Sequence, residues 1–586
     1  METVPVRSSL GLYIRLTDGS NEAAKDEALR EAAKSPTTVD FAFLADAEQF
    51  EALPGAQFAY WLPEKALNAY RDFDTLADHT YGQPGLQTSD NARFIRQWFE
   101  VSWDDLCTDA VDSRAAAESG ARWFPLVKGG DFRKWYGNLD TVVNWKNDGQ
   151  DIKSSINEKY PYLNGNIDYV VKDRGYFFRE SITYNRITAG RFAVRYTDPG
   201  TIFDVAGSAV FPNADKWGVL GFLCSSTAEY LMRAQNPTFT VQSGDVAALP
   251  YPATRIAELG EKLATLVQEA VSISRADWDS VEISWRFGGS PLLEFTGSLA
   301  DRVRELTRGH LVNRERLARV ESSINRLVAD TFGLQGAVQT DTTPAEVTLR
   351  AISDADLVRD MISYAIGCMF GRYSLDEPGL VLAGQRVTAQ EYLANAPNAT
   401  FAPDADNVIP IVDGDWFEDD IVERFRQFLR AAFGEQHFEE NLQFVTQSLG
   451  VKHLRDYFVK SFYKDHVKRY KKRPIYWLFS SPKGSFNALI YMHRYTPSTV
   501  STVLTYLREY VTKLESALQQ AERAGNAKEA DRLRKILVEL NEYEHDTLFP
   551  KASENVVIDL DDGVKVNYPK FGAALKKVKG LEAKGD

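Results

Sequence analysis

Apolar positions recur at three- and four-residue spacing over 256–274 and 299–334, with charges on the opposite face, and this predicts two long amphipathic helices. The same spacing carries Val503, Leu507, Tyr510, Leu514 and Leu518. It returns through Leu533, Ile536, Leu537 and Leu540 after a turn at Gly525 and Asn526, so 497–540 reads as an αα-hairpin. Shorter helices are predicted over 22–34 (ended by Pro36), 217–234, 354–370 and 421–433, the last led in by the acidic stretch 413–420. Period-two or densely apolar runs predict strands at 41–44, 58–61, 177–178, 182–184, 192–196, 202–205 and 475–479. Turn signals stand at 189–190, 198–200 and 480–484. Residues 235–250 read as extended, 335–344 as a loop, and the Gly/Pro/Asn-rich stretch between Phe370 and Pro410 as a linker.

Helical and strand patterns are interleaved rather than alternating, which predicts an α+β protein. Its 586 residues exceed what one core accommodates. The pattern divides them into a mixed lead-in (1–100), a strand-rich domain (101–251), a helical spacer (252–345), an α+β domain (346–496), and the hairpin with a Lys-rich tail (497–586). That tail (Lys570, Lys576, Lys577, Lys579) is expected to be mobile and to add weak phosphate contacts.

Composition changes little in this picture, but charge does. With 68 Lys and Arg against 82 Asp and Glu the net charge is −14, which argues against a protein that simply coats DNA. Specific DNA binding survives such a balance where one face is basic, because phosphates respond to the local field. Cys107, Cys224 and Cys368 are widely spaced and odd in number, and read as buried thiols of a reducing compartment. Neither a leader-like N-terminus nor a membrane-length apolar run is evident, so a cytoplasmic location is expected.

Candidate chemistry concentrates in two stretches. Over 121–151, ARWFPLVKGGDFRKWYGNLDTVVNWKNDGQD, aromatic rings and cations alternate with glycines where a backbone can approach a ligand closely. Lys128, Arg133, Lys134, Trp135 and Tyr136 are its candidate DNA contacts, joined by Arg179, Tyr184, Asn185, Arg186, Arg191 and Arg195 on or beside the following strands. Arg and Asn match guanine and adenine edges bidentately, although half or more of such contacts go to the DNA backbone. The second stretch, 452–473, carries nine cations against Asp456 and Asp465 and predicts a helix along a phosphate backbone. Lys464, Lys468, Arg469, Lys471, Lys472 and Arg473 are its candidate contacts. A solvated helix with its aromatics turned inward is the plainer alternative.

The 121–151 stretch resembles a long, idiosyncratic segment of the PglX family, the adenine-specific DNA methyltransferases of BREX phage-defence systems. It is also similar to the target-recognition region of related single-chain restriction-modification enzymes. Further similar segments are GLQTSDNARFIRQWFEV (85–101), YFFRESITYNRITAGRFAVRY (176–196), QNPTFTVQSGDVAALP (235–250) and RPIYWLFSSPKGSFNALIYMHRY (473–495). The resemblance runs to about Lys570 and does not include a catalytic domain. It implies a DNA-recognising half that binds duplex DNA and positions an adenine for a methyltransferase domain or subunit carrying S-adenosylmethionine. The first hundred residues and the αα-hairpin are then the candidates for docking that partner or other BREX proteins.

No cofactor is expected on this chain. The Asn-Pro-Pro-aromatic loop that the family uses at the methylated amine is not found. The nearest imitation, Asn236-Pro237-Thr238-Phe239, lacks the second proline and reads as structural. Asp140, Asp151 and Lys153 have only the rough order of a metal-nuclease site, and the seven histidines form no ligand pair. No GxxxxGK[ST] occurs, which argues against ATP hydrolysis. The rival reading, supported by the acidic balance, is a non-catalytic scaffold of a defence complex.

Overall fold

The computed structural model describes residues 10–172, 174–188 and 191–582, so the turn expected at 189–190 and the first nine residues lie outside it. Strands β1 (Leu10–Ile14) and β2 (Ala42–Asp46) pair as an antiparallel ribbon. The next eight strands are β3 (Thr80–Gln83), β4 (Ile95–Gln97), β5 (Trp123–Val127), β6 (Thr141–Asn144), β7 (Ser181–Tyr184), β8 (Val194–Thr197), β9 (Ile202–Phe203) and β10 (Ala209–Pro212). They form two four-stranded sheets, ordered β3-β10-β7-β8 and β4-β6-β5-β9. The second contains one parallel pair, β5 with β9. A third sheet, β11-β13-β12, joins β11 (Ile409–Pro410), β12 (Tyr476–Ser480) and β13 (Asn487–Tyr491). The α+β expectation is met.

The long helices form where the periodicity places them. Ala253–Asp279 packs against Leu299–Phe332, which starts at a Ser298–Asp301 capping box and stops at Gly333 in the left-handed region (φ +66°). Thr499–Arg523 and Ala527–Tyr543 make the αα-hairpin, and Glu22–Lys34, Asp354–Met369 and Ile421–Phe433 are helical. The interior lies in two large clusters. One draws on residues 53–349. The other centres on the C-terminal half, and Trp98, Phe99, Trp123 and Val142 of the β4–β6 region reach into it.

Other expectations are corrected. Residues 58–61 and 177–178 are not strands: these aromatic runs are turns whose rings pack inward in part, with Phe178 at φ +69°. The helix expected over 217–234 is two helices, Lys216–Leu223 and Ser226–Gln235. Ser225 stands extended between them, its hydroxyl capping Ala228 N–H. Residues 235–250 contain a short helix, Ser243–Ala247, inside the expected extended run. The expected linker is packed structure, with Arg372, Leu382 and Tyr392 buried and a helix at Ala389–Asn395. The Lys-rich tail is docked. Leu575, Val578 and Leu581 are buried while Lys576, Lys577 and Lys579 face solvent. Lys576 N–H donates to Leu478 O, and Asp561 accepts from Trp123 Nε1 and Arg122 Nη1, both at 2.6 Å.

Candidate nucleic-acid interface

Five residues of the segment 129–138 adopt left-handed backbone: Gly129, Gly130, Trp135, Gly137 and Asn138. At Gly129 (φ +79°) a Cβ would meet Ala206 O at 2.9 Å, so glycine is required there by close backbone approach as well as by φ. The loop is then bolted down from both sides. Trp135 N–H donates to Val194 O, and Tyr196 N–H to Trp135 O, which fixes it to β8. Arg195, 1 % exposed, donates from Nη1 to Arg133 O at 3.1 Å and from Nη2 to Asn185 Oδ1 at 2.6 Å. Asn185 Nδ2 in turn donates to Gly130 O at 2.7 Å.

On its other side the loop is fastened to the two long helices. Arg133 donates to Asp277 Oδ2 at 2.7 Å, and Trp135 Nε1 to Glu321 Oε1 at 2.7 Å. Lys134 Nζ lies 3.6 Å from Glu321 Oε2. Tyr136 donates to Asp198, whose carboxylate also accepts from Arg275 and Arg286. Burial first, with the nearby Arg133 charge adding to it, draws the Arg195 guanidinium down to about 10, and burial first, with Asp245 adding to it, pushes the Tyr184 phenol up to about 12.

This corrects the reading of six candidate contacts. Lys134, Trp135, Tyr136, Tyr184, Asn185 and Arg195 are buried, and their polar groups are directed at protein partners where partners are formed. Arg133 is mostly buried on Asp277 and over the Trp278 ring. The physical reason is cost: a cation or amide taken from water needs partners at once, and the fold supplies them. Chain-distant acids that no local pattern reveals (Asp277, Glu321, Asp198) are those partners. The 121–151 stretch is a keystone between the strand-rich domain and the helical pair.

The remaining candidates of this region stay at the surface. Lys128 Nζ pairs with Asp204 at 2.8 Å, and Arg191 lies over the Phe132 ring and 3.6 Å from Glu229. Arg179 is exposed above the Tyr176 ring, and Arg186 is half-buried. Among the described residues neither Arg179 nor Arg186 forms a carboxylate pair. Arg186 belongs to a ribbon that composition did not reveal: Val241 N–H donates to Arg186 O, Thr188 N–H to Phe239 O, and Ile187 faces Thr240 across the pair. Ile187 and Phe239 on it are 73 % and 71 % exposed, an unusual placement for large apolar side chains.

The basic stretch is a helix, Leu454–Tyr457 running through a π-helical turn (Phe458–Phe462) into Tyr463–Arg469. Leu454, Tyr457, Phe458, Phe462, His466 and Tyr470 form its buried side. Arg469 pairs with Asp360 at 2.6 Å, Lys471 with Asp140, and Arg473 lies 3.9 Å from Glu100. Those three cations are therefore engaged with the protein's own carboxylates. Lys464, Lys468 and Lys472 are exposed and, among the described residues, have no ion-pair partner. Lys464 and Lys468 are one helical turn apart on the same face.

Other motifs resolve into local structure. Asn236 Oδ1 accepts from Thr238 N–H and hydroxyl, while Nδ2 donates to Thr240 O and Asp245 Oδ2. Its amide is wholly engaged in its own turn. Asp140 faces Lys471, Asp151 accepts from Asn144, and Lys153 pairs with Asp148, so the rough nuclease trio is dispersed among separate partners. Among the described residues no three His, Cys, Asp or Glu side chains are grouped to hold a metal ion, and no helix is long and apolar enough to cross a membrane. Cys224 and Cys368 are buried free thiols, and Cys107 is a half-buried one.

No family model matches the chain. It is 32 % identical over 618 aligned residues to the adenine-specific methyltransferase BrxX of Escherichia coli O9:H4 (strain HS), across 97 % of this chain and 48 % of that protein. It is 34 % identical over 608 residues to the adenine-specific methyltransferase PglX of Lacticaseibacillus casei (strain Zhang), again across 97 % and 48 %. The chain is thus homologous over nearly all its length to proteins of this kind, and it spans about half the length of the curated relatives it matches.

Proposed function

We propose that this chain holds and reads duplex DNA for a BREX-type adenine-specific methyltransferase, with methyl transfer from S-adenosylmethionine performed by a catalytic domain outside the segment. The observation that carries the reading is the similarity over 97 % of the chain to two proteins named adenine-specific methyltransferases. The surface supports it at two places. Lys464, Lys468 and Lys472 offer charges free to neutralise phosphates, and the Arg186 ribbon offers an exposed edge to a groove. Lys128, Arg179 and Arg191 are further surface cations of the strand-rich part of the chain. A target adenine presented to a methyltransferase pocket must leave the base stack, and this chain would hold the duplex on either side of it. The lead-in and the αα-hairpin are the proposed docking elements for the catalytic partner and other BREX proteins.

A second reading has an observation of its own. Arg133, Arg469 and Lys471, which would face DNA in a simple basic-patch protein, are paired with the chain's own carboxylates, as a scaffold's would be. Methyl transfer to phage or host DNA separates the two. It is measured with this chain alone and with a separately expressed methyltransferase domain from its genomic neighbourhood. Activity in the mixture alone supports the DNA-reading half. Neither transfer nor salt-dependent DNA binding puts the scaffold first, and activity of the chain alone means that a catalytic site lies within it.

A further inference from the structure

The four-stranded sheet β3-β10-β7-β8 has two ends of different character. At one, Tyr184 leads into the buried Asn185–Arg195 bond described above. At the other, where Thr80, Ser181, Thr197 and Pro212 come level, a cavity of about 320 Å³ opens. Its walls are the rings of Tyr81, Tyr176, Tyr196 and Phe211, and its charged rim is Arg179, Glu180 and Lys216. Tyr81 and Tyr176 stack at 4.2 Å with planes 13° apart, and Phe211 closes on Tyr176 at 4.9 Å. These tyrosines are half-buried, and parts of their rings border the cavity.

The polar groups divide into two kinds. Glu180 is the fixed one: it accepts from Lys216 Nζ through both oxygens, at 3.0 and 2.8 Å, and from Tyr196 OH at 2.9 Å. That arrangement orders the Tyr196 ring and the ammonium on one side of the mouth. Arg179 is the uncommitted one. Its guanidinium lies 5.0 Å from the Tyr176 ring centroid, exposed and, among the described residues, in no carboxylate pair. A planar cation stacked on an aromatic face keeps its edge donors available for a second anion.

Aromatic walls suit a flat heteroaromatic ring, and an available guanidinium at the rim suits a phosphate, which it can clamp through two parallel donors. The volume lies at the lower end of the range for small-ligand sites, the scale of one nucleotide unit rather than of a dinucleotide cofactor. A lipid chain would leave the charged rim unmatched, and a bare phosphate would leave the rings unused. We infer that this cavity binds a single nucleotide, its base among the rings of Tyr81, Tyr196 and Phe211 and its phosphate on Arg179, whose guanidinium the Tyr176 ring supports. Two sources share that chemistry: a free mononucleotide, and one unpaired nucleotide of a DNA strand. The second source extends the proposed DNA-reading role to unstacked DNA. The first stands without it.

The test titrates the full chain with AMP, with dAMP and with a mixed-sequence single-stranded 10-mer, following binding by calorimetry and, for the labelled oligonucleotide, anisotropy. A 30-base-pair duplex is titrated in parallel. Saturable binding is expected, and it should weaken about tenfold in Arg179→Ala, which removes the phosphate clamp, and in Tyr176→Ala, which removes the ring that holds the guanidinium. Tyr176→Phe should retain it, because the ring is kept, and Lys468→Ala should not affect the mononucleotides. Mononucleotides binding as tightly as the 10-mer identify the free source. A 10-mer binding at least about tenfold tighter, with the same dependence on Tyr176, identifies the strand source. The inference is overturned if no probe binds saturably, or if binding is indifferent to Tyr176→Ala and Arg179→Ala while the variants keep the wild-type melting temperature. Loss of duplex binding alone would sink the DNA-reading role and leave the free-nucleotide site in place.

Discussion

Arg195 donates from Nη2 to Asn185 Oδ1 at 2.6 Å, and Asn185 hands the chain of bonds on from Nδ2 to Gly130 O. Two side chains of the types that read guanine and adenine edges are thus satisfied by each other. Replacing Arg195 by Ala would leave Arg133 O and Asn185 Oδ1 without these donors in the interior. Such losses around a charged group cost about 2–4 kcal/mol, so chemical denaturation of Arg195→Ala should show a clear fall in midpoint. A base-reading arginine would behave oppositely, losing DNA affinity at an unchanged midpoint.

What the sequence discloses and what it hides follow from the range of the forces involved. The helices Ala253–Asp279, Leu299–Phe332 and Thr499–Arg523 are visible because amphipathic spacing is a local record of which side faces the core. The 177–178 run misleads because two adjacent phenylalanines record burial, not period. The helix Ser243–Ala247 is too short to show a period, and its signal is the Gln242–Asp245 capping box. The candidate interface was legible as composition and illegible as geometry. Whether Arg133 or Lys471 reaches solvent is decided by Asp277 and Asp140, 144 and 331 positions away along the chain. Residue type alone cannot separate Lys468 from Lys471.

That separation is measurable. Lys464, Lys468 and Lys472 are exposed and uncompensated, so each lost phosphate contact should reduce the slope of log K against log salt by about 0.9. The triple alanine variant should therefore flatten the salt dependence of duplex binding by about two to three units. Its unfolding midpoint should move by no more than about 0.5 kcal/mol equivalent, as for exposed substitutions generally. Lys471→Ala should do the reverse, disturbing the fold through Asp140, which is left buried without its cation.

The docked tail depends on one carboxylate. Asp561 accepts from Trp123 Nε1 and Arg122 Nη1, and nearby Glu100 Oε2 accepts from Val564 N–H at 2.8 Å. Asp561→Ala removes the first two of these bonds, at a cost of about 2 kcal/mol. Hydrogen exchange should then speed up over 556–581 and at β5 while the helical pair Ala253–Asp279 and Leu299–Phe332 keeps its protection. Unchanged exchange in the tail would mean that the apolar contacts of Leu575, Val578 and Leu581 suffice to hold it.

The buried side of the basic helix sets a pH dependence whose sign can be worked out. His466 is enclosed by Phe462, Tyr470 and Tyr476, accepts from Tyr476 N–H at 3.1 Å, and faces the guanidinium charges of Arg469 and Arg372. Burial first, and those two cations next, pull it down to about 3 from an ordinary value near 6.5. Between those values only the unfolded chain binds this proton. Stability from His466 is therefore complete above pH ~6.5 and is lost as pH falls toward ~3, at about 1.4 kcal/mol per pH unit. His493, drawn down to about 3 by its own burial, acts in the same direction. Asp404, pushed up to about 7 by burial and neighbouring Asp406, acts in the opposite one. Comparing His466→Gln with the wild type cancels both. The difference in unfolding free energy between the two chains should change by about 1.4 kcal/mol per pH unit from pH 6 to pH 4, the wild type losing more on acidification. Parallel curves would show that His466 takes up its proton in the folded chain, and that the interior around Tyr476 admits charge.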